Sequence, residues 1–198
     1  HSTAGSPIAN PAFRVASCGF NALVAFNALE LASVTGDASL AARARSLAGT
    51  LLDQWDESLG TWVDVGDSST DSGRIRTLDA LLPVLVANDA SIISRVNADL
   101  RDTSAFGGTT GPLGVHRAEP TFAARTYWRG PAWPQLTYLF WVAAVRHERV
   151  EDASAFADML VRGAMASSWA EYWDGSDGTG LGAAPQSWAA LAAVVLPS

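Results

Sequence analysis

Residues 18–56, CGFNALVAFNALELASVTGDASLAARARSLAGTLLDQWD, read as two successive helices of different character. The first, 18 to 35, is apolar nearly all round, with Phe20, Leu23, Phe26, Leu29 and Leu31 set among alanines. Gly36 then offers the left-handed residue on which helices commonly stop. Asp37 is placed to cap the second helix. That helix, 38 to 56, carries Leu40, Leu47, Leu51 and Leu52 at helical spacing, with Arg43, Arg45 and Asp53 outside, the pattern of a one-sided surface helix.

The couplet recurs along the chain. Apolar helices are expected at 77–87, 132–147 and 186–196, and amphipathic ones at 90–100 and 151–168. The apolar helices start at Gly19, Thr77, Ala132 and Gln186, 58, 55 and 54 residues apart, which is a helical-pair repeat without strong sequence identity. A helix that is apolar all round must be covered on all sides, whereas a one-sided helix belongs to an outer layer. Concentric inner and outer rings follow, in an all-α fold. Four inner and three outer helices fall short of the twelve that close a six-pair toroid, so the chain is expected to be a part of one.

Composition narrows the function classes. At 198 residues and 48% apolar the chain carries one domain's worth of core, and no run of about 20 apolar residues marks a membrane span. A net charge of -7 argues against nucleic acid or an anionic membrane as partner. All thirteen basic residues are Arg, a composition bias given no mechanistic weight. The one cysteine, Cys18, excludes an internal disulfide and reads as a buried small residue. Cytoplasm is the expected compartment; the chain starts at His1 rather than Met, so a preceding targeting segment stays open. Self-association is also left open.

The long connections, 57–76, 101–131 and 169–185, all lead from an outer helix to the next inner one, and connections of that length are usually functional. In the second lies Tyr127-Trp128-Arg129-Gly130-Pro131-Ala132-Trp133-Pro134, where two prolines open a helix directly behind a cluster of flat rings with polar edges. Such rings suit a sugar. Arg129 can either touch that ligand or pair with a carboxylate at the core edge. In the third, Glu171 stands between Trp169, Tyr172 and Trp173 ahead of the glycines Gly175, Gly178, Gly180 and Gly182. A carboxylate among aromatics suits the acid–base chemistry of glycoside hydrolysis; the bland alternative is a solvated residue just past a helix. Gln186 can donate to a carboxylate or hydroxyl, or merely satisfy the helix terminus at which it stands.

Other candidates are weaker. Asp64, Asp67, Asp71 and Asp79 gather around a polar loop that lacks the closing Glu of a calcium loop. His1, His116 and His147 are scattered without metal-ligand spacing. Gly107-Gly108-Thr109-Thr110-Gly111 lacks the Gly-Lys-Ser/Thr ending of a phosphate cradle. No metal and no cofactor are expected.

The Tyr-Trp-Arg-Gly-Pro-x-Trp stretch resembles the signature of inverting α-glycosidases with an (α/α)6 barrel. This is the glycoside hydrolase family 63-like group of processing α-glucosidase I, mannosylglycerate hydrolase and, most similar, glucosylglycerate hydrolase. The resemblance covers essentially the whole chain: Phe20-Asn21-Ala22-Leu23 with Thr35-Gly36-Asp37, Leu51 to Asp64, Leu81-Leu82-Pro83, Phe106 to Gly114, and Glu171-Tyr172-Trp173 with Gly178 and Gly180. It implies that residues 1–198 are the C-terminal part, about seven helices, of a single (α/α)6 catalytic domain whose N-terminal half is a missing partner. It further implies that Glu171 is the general base, that Tyr127, Trp128 and Trp133 line the pocket with Arg129 buttressing it, and that Gln186 faces the aglycone.

The implied reaction is hydrolysis of a small acidic glucoside, glucosylglycerate, to glucose and glycerate with inversion. Inversion needs two carboxyls roughly 6.5 to 9.5 Å apart, and the implied general acid is an Asp upstream of Phe20. None of Asp64, Asp67 or Asp71 matches its motif. Mannosylglycerate hydrolase and trehalase- or glucoamylase-like α-glycosidases are the near alternatives. A non-catalytic helical-repeat scaffold or sugar-binding module is the alternative of another class.

Overall fold

The computed structural model describes residues 15–66 and 74–196. Asp67 and Asp71 of the acidic loop lie outside the described residues. Five α-helices form where the apolar periodicity places them: α1 Cys18–Thr35, α2 Ala38–Leu52, α3 Ala90–Arg101, α4 Pro134–Arg146 and α5 Val150–Ala166. Their ends follow local chemistry. Ser17 accepts from the Phe20 N–H at the start of α1, and Asp64 Oδ1 accepts from the Cys18 N–H at 2.8 Å. Gly36 ends α1 in the left-handed conformation, at φ 72°, and Asp37 caps α2 by accepting from the Leu40 N–H. Asp89 caps α3 in the same way, and Pro134 opens α4.

Two of the expected inner helices are wound more tightly than the apolar pattern implies. Residues Asp79–Leu85 and Ser187–Ala193 are 3-10 helices, not α-helices. In the first, Pro83 has no N–H to give to the carbonyl four residues back, and its ring would collide with that carbonyl, which favours the tighter winding. The second helix of the opening couplet also stops at Leu52 rather than 56. Trp55–Asp56 turns away to pair antiparallel with Thr61–Trp62, and the Trp55 and Trp62 rings meet edge to face at 4.7 Å.

The layers are concentric, as the two helix types require. The inner series runs α1, Asp79–Leu85, α4, Ser187–Ala193, each against the next, while α2, α3 and α5 back onto them from outside. The main core fills the space between the layers, with Trp62, Leu81, Leu85, Leu100, Phe106, Phe140 and Phe156 buried, and Cys18 belongs to it.

α1 departs from the expectation that an all-round apolar helix is covered on all sides. Its 18 residues are by length and composition apolar enough to cross a membrane. One face packs on α2 and on Asp79–Leu85. The opposite face carries Phe20, 68% exposed, then Val24, Asn27, Leu31 and Val34, 87% exposed, a stripe at steps of four and three on which no described element packs.

Candidate active site

The segments that precede the inner helices are stitched together by backbone. Thr77 bridges to Val115, Leu113 to Ala132 and Ala132 to Trp173, all antiparallel. The Ala132 N–H donates to the Trp173 carbonyl at 2.8 Å, and the Trp173 N–H returns to Ala132 at 3.1 Å. Beyond Trp173, Tyr172–Trp173 pairs with Gly180–Leu181, and the Glu171 N–H donates to the Ala183 carbonyl at 2.7 Å. Three connections far apart in sequence therefore form one irregular sheet across one end of the helical arc.

This spine brings Tyr127 to Glu171, 44 residues on. The Tyr127 hydroxyl donates to Glu171 Oε1 at 3.4 Å, and the Ala183 N–H donates to Oε2 at 3.2 Å. Burial first, and then the Glu171 charge, push the Tyr127 phenol above its ordinary value, so it stays a donor at neutral pH. The Trp188 indole N–H donates to the Glu171 backbone carbonyl at 2.7 Å, fixing the main chain behind the carboxylate.

The aromatic rings form a layered stack. Trp128 lies on Trp133 with centroids 3.8 Å apart, and Trp133 on Tyr172 at 4.6 Å. Tyr127 stands edge-on to all three. Each such pair adds about 0.5–1.5 kcal/mol beyond area burial, so the stack is a stiff platform. Trp133 is 0% exposed and donates its indole N–H to the Tyr127 carbonyl at 3.3 Å. It is the plate inside the stack, and the rings open to solvent are those of Tyr127 and Trp128. Trp128 also closes one side of a cavity of about 410 Å³ between the starts of α1, Asp79–Leu85 and α4. Glu171 lies outside the lining of that cavity.

Arg129 ends the short 3-10 turn Tyr127–Arg129, is exposed, and joins no ion pair among the described residues. Gln186 is the N-cap of Ser187–Ala193: its Oε1 accepts from the Ser187 N–H at 2.8 Å and the Ser187 hydroxyl at 3.3 Å. It thus engages its own helix terminus, 15 positions beyond Glu171 along the chain. Tyr172 and Trp188 were not among the residues expected at the site, although both sit within two positions of one that was. Their signal was adjacency to Glu171 and Gln186 in an aromatic-rich loop.

Residues 2–189 match the family model described as the Mannosylglycerate hydrolase MGH1-like glycoside hydrolase domain. The chain belongs to this family. The glucosylglycerate hydrolase of Mycolicibacterium hassiacum is 42% identical to it over 71 residues, which are 36% of this chain and 16% of that protein. The mannosylglycerate hydrolase of Rubrobacter radiotolerans is 28% identical over 170 residues, 81% of this chain and 38% of that protein. Among solved structures, the GH63 mannosylglycerate hydrolase from Thermus thermophilus in complex with glucose superimposes with a TM-score of 0.80 at 20% identity. The match covers 92% of this chain and 48% of that one. The same enzyme in complex with Tris and D-glycerate gives 0.81 at 19% identity, covering 92% and 46%. The architecture is thus that of the (α/α)6 glycosidases. The MGH1-like chain spans less than half the length of the relatives it matches.

Proposed function

We propose that this chain is the C-terminal part of the catalytic domain of an inverting α-glycosidase that hydrolyses glucosylglycerate to glucose and glycerate. The observation that carries the reading is the Glu171 carboxylate, held by the Tyr127 hydroxyl and the Ala183 N–H beside a stiff aromatic platform. Two fixed donors keep the carboxylate aimed, which is what a base needs to take a proton from water as that water attacks an anomeric carbon. Tyr127 and Trp128 present the flat faces a pyranose ring packs against, and the exposed Arg129, in no ion pair among the described residues, is available for the carboxylate of an acidic aglycone. Gln186, at the next helix start, can turn its amide toward the same aglycone.

The general acid belongs to the other half of the ring. The uncovered stripe from Phe20 to Val34 on α1 supports that half closing against this chain, since a row apolar but for Asn27, at heptad-like spacing, suits a neighbouring helix. Mannosylglycerate is the second reading, favoured by the longer match to the Rubrobacter radiotolerans enzyme.

The test uses the complete polypeptide with Glu171→Gln. Loss of at least about a hundredfold in glucose release from glucosylglycerate is expected, in line with acid–base assistance of about 10² to 10⁴. A variant that keeps the wild-type rate would overturn the base assignment. The ratio of kcat/KM for glucosylglycerate and mannosylglycerate decides between the two substrates. Proton NMR of the first-formed glucose decides stereochemistry, with β-glucose expected from the α-glucoside.

A further inference from the structure

The cavity beside Trp128 carries a residue that the proposed chemistry leaves without a role. Its floor is apolar, from Phe20, Leu82 and Leu136, and its polar lining comes from Ser17, Thr77 and Asp79. Among the described residues Asp79 is the one charged member of that lining, is exposed, accepts no hydrogen bond and pairs with no cation.

Backbone contacts fix Asp79 relative to the Trp128 ring. Gly19 lets α1 and the helix Asp79–Leu85 meet main chain to main chain: a Cβ there would stand 2.5 Å from the Asp79 carbonyl oxygen. On the far side, the Leu78 N–H donates to the Gly114 carbonyl at 2.9 Å, and the Gly114 N–H reaches the carbonyls of Gly130 and Pro131 at 3.3 and 3.2 Å. Gly114 has no Cβ because one would stand 2.8 Å from the Trp128 carbonyl oxygen. Asp79 and Trp128 are therefore joined through three segments of chain by hydrogen bonds and close backbone approach, with no flexible side chain in the link.

We propose that Asp79 is a sugar-hydroxyl acceptor. Its carboxylate takes hydrogen bonds from hydroxyls of a hexopyranose ring laid against the free face of Trp128, and so selects among epimers. The inference rests on the glycosidase reading of the site and extends it to a residue outside the Glu171 cluster. Trp133 already covers one face of the Trp128 indole, at 3.8 Å, which leaves the other for an apolar sugar face. A lone carboxylate repels an acidic aglycone and attracts hydroxyl donors, so the cavity suits the neutral glycosyl ring, with the glycerate carboxylate on the Arg129 side. A carboxylate offers two acceptor oxygens and no donor, which makes it sensitive to where a ring places its O–H groups.

The experiment measures tryptophan-fluorescence affinities of the complete polypeptide for glucose and its monodeoxy analogues, in the wild type, Asp79→Asn and Asp79→Ala. Removing a hydrogen bond to a charged group weakens glucose by about tenfold to a hundredfold. For the deoxy sugar that lacks the contacted hydroxyl, the wild type is already weak and the variants lose nothing more. That non-additivity supports the assignment, because a merely structural Asp79 would weaken every sugar by the same factor. Equal losses across the series, or none, overturn it while the glycosidase reading stands. A wild type with no saturable glucose binding overturns it too, and failure of the complete polypeptide to release glucose from glucosylglycerate overturns the glycosidase reading itself. Circular dichroism melts of both variants confirm that the comparison is made on folded protein.

Discussion

Gly182 leaves the space that the Glu171 carboxylate occupies: a Cβ at 182 would stand 2.5 Å from Oε2. The residue is also at φ 71°, where side chains other than glycine are strained. The hairpin that presents Glu171 thus sets the direction of its carboxylate through a missing atom.

Gly182→Ala should cost about 1 kcal/mol in stability from the backbone alone and swing the carboxylate away from the Ala183 N–H. With Glu171 as the base, kcat is expected to fall at least about tenfold, since a misplacement of about 1 Å costs that much or more. Steady-state kinetics beside a urea melt checks it. A variant with unaltered kcat would mean that the carboxylate direction does not matter.

The ring stack predicts opposite outcomes for two neighbouring tryptophans. Trp133, fully buried, should cost about 3–5 kcal/mol when replaced by alanine. Trp128→Ala should cost much less in stability, because half of that residue is already exposed, yet weaken sugar binding more than any change behind it. Denaturation midpoints and glucose titrations on the two variants separate platform from contact surface.

Asp152 is 2% exposed and is held by Arg149 at 3.0 Å and Arg101 at 3.1 Å, tying the start of α5 to the end of α3. Arg149→Met is expected to destabilise by about 3 kcal/mol, because it strips one partner from a buried charge. Adding Asp152→Leu should recover much of that loss. Urea unfolding of both would show it, and a double variant no better than the single would contradict it.

His116 supplies a pH dependence. Its ring sits edge-on to Phe106 at 5.2 Å, takes the Ala118 N–H on Nδ1 at 3.1 Å, and has Arg76 Nη1 3.2 Å from Nε2. Burial first, and the Arg76 charge second, hold its pKa below the usual 6.5, against partial opposition from Glu119, Asp99 and Asp102. The folded state thus disfavours the proton that the unfolded chain accepts. Stability is complete above about pH 6.5 and declines as pH falls through the lowered folded value. His116→Asn, which keeps an acceptor for Ala118, should flatten the melting temperature between about pH 7 and 5 relative to the wild type.

Legibility in the sequence followed the physics of each element. The α1, α2 and α4 positions could be read because caps and apolar spacing are local: Gly36, Asp37 and Pro134 act within a turn of where they stand. The tight winding of Asp79–Leu85 was visible only as Pro83, since nothing local says whether proline kinks a helix or rewinds it. The meeting of Tyr127 with Glu171 came from a motif resemblance and from the repeat placing both at the same end of the inner layer. The antiparallel bridges that bring them together involve Leu113, Ala132 and Trp173, whose side chains carry no mark of that pairing. Asp79 stands in an acidic stretch of sequence, while in space it shares a cavity lining with Ser17 and Trp128.

The hairpin behind Glu171 has a consequence for how the protein is made. Its closing bonds come from Ala183, Gln186 and Trp188, all of which follow the rings and the carboxylate in the chain. A ribosome that has released everything through Tyr172 has made the stacked rings and Glu171 but not the groups that hold them in place. The pocket therefore takes shape only after its own surfaces exist, and a nonsense codon between Tyr172 and Trp188 would leave all five α-helices and no working site.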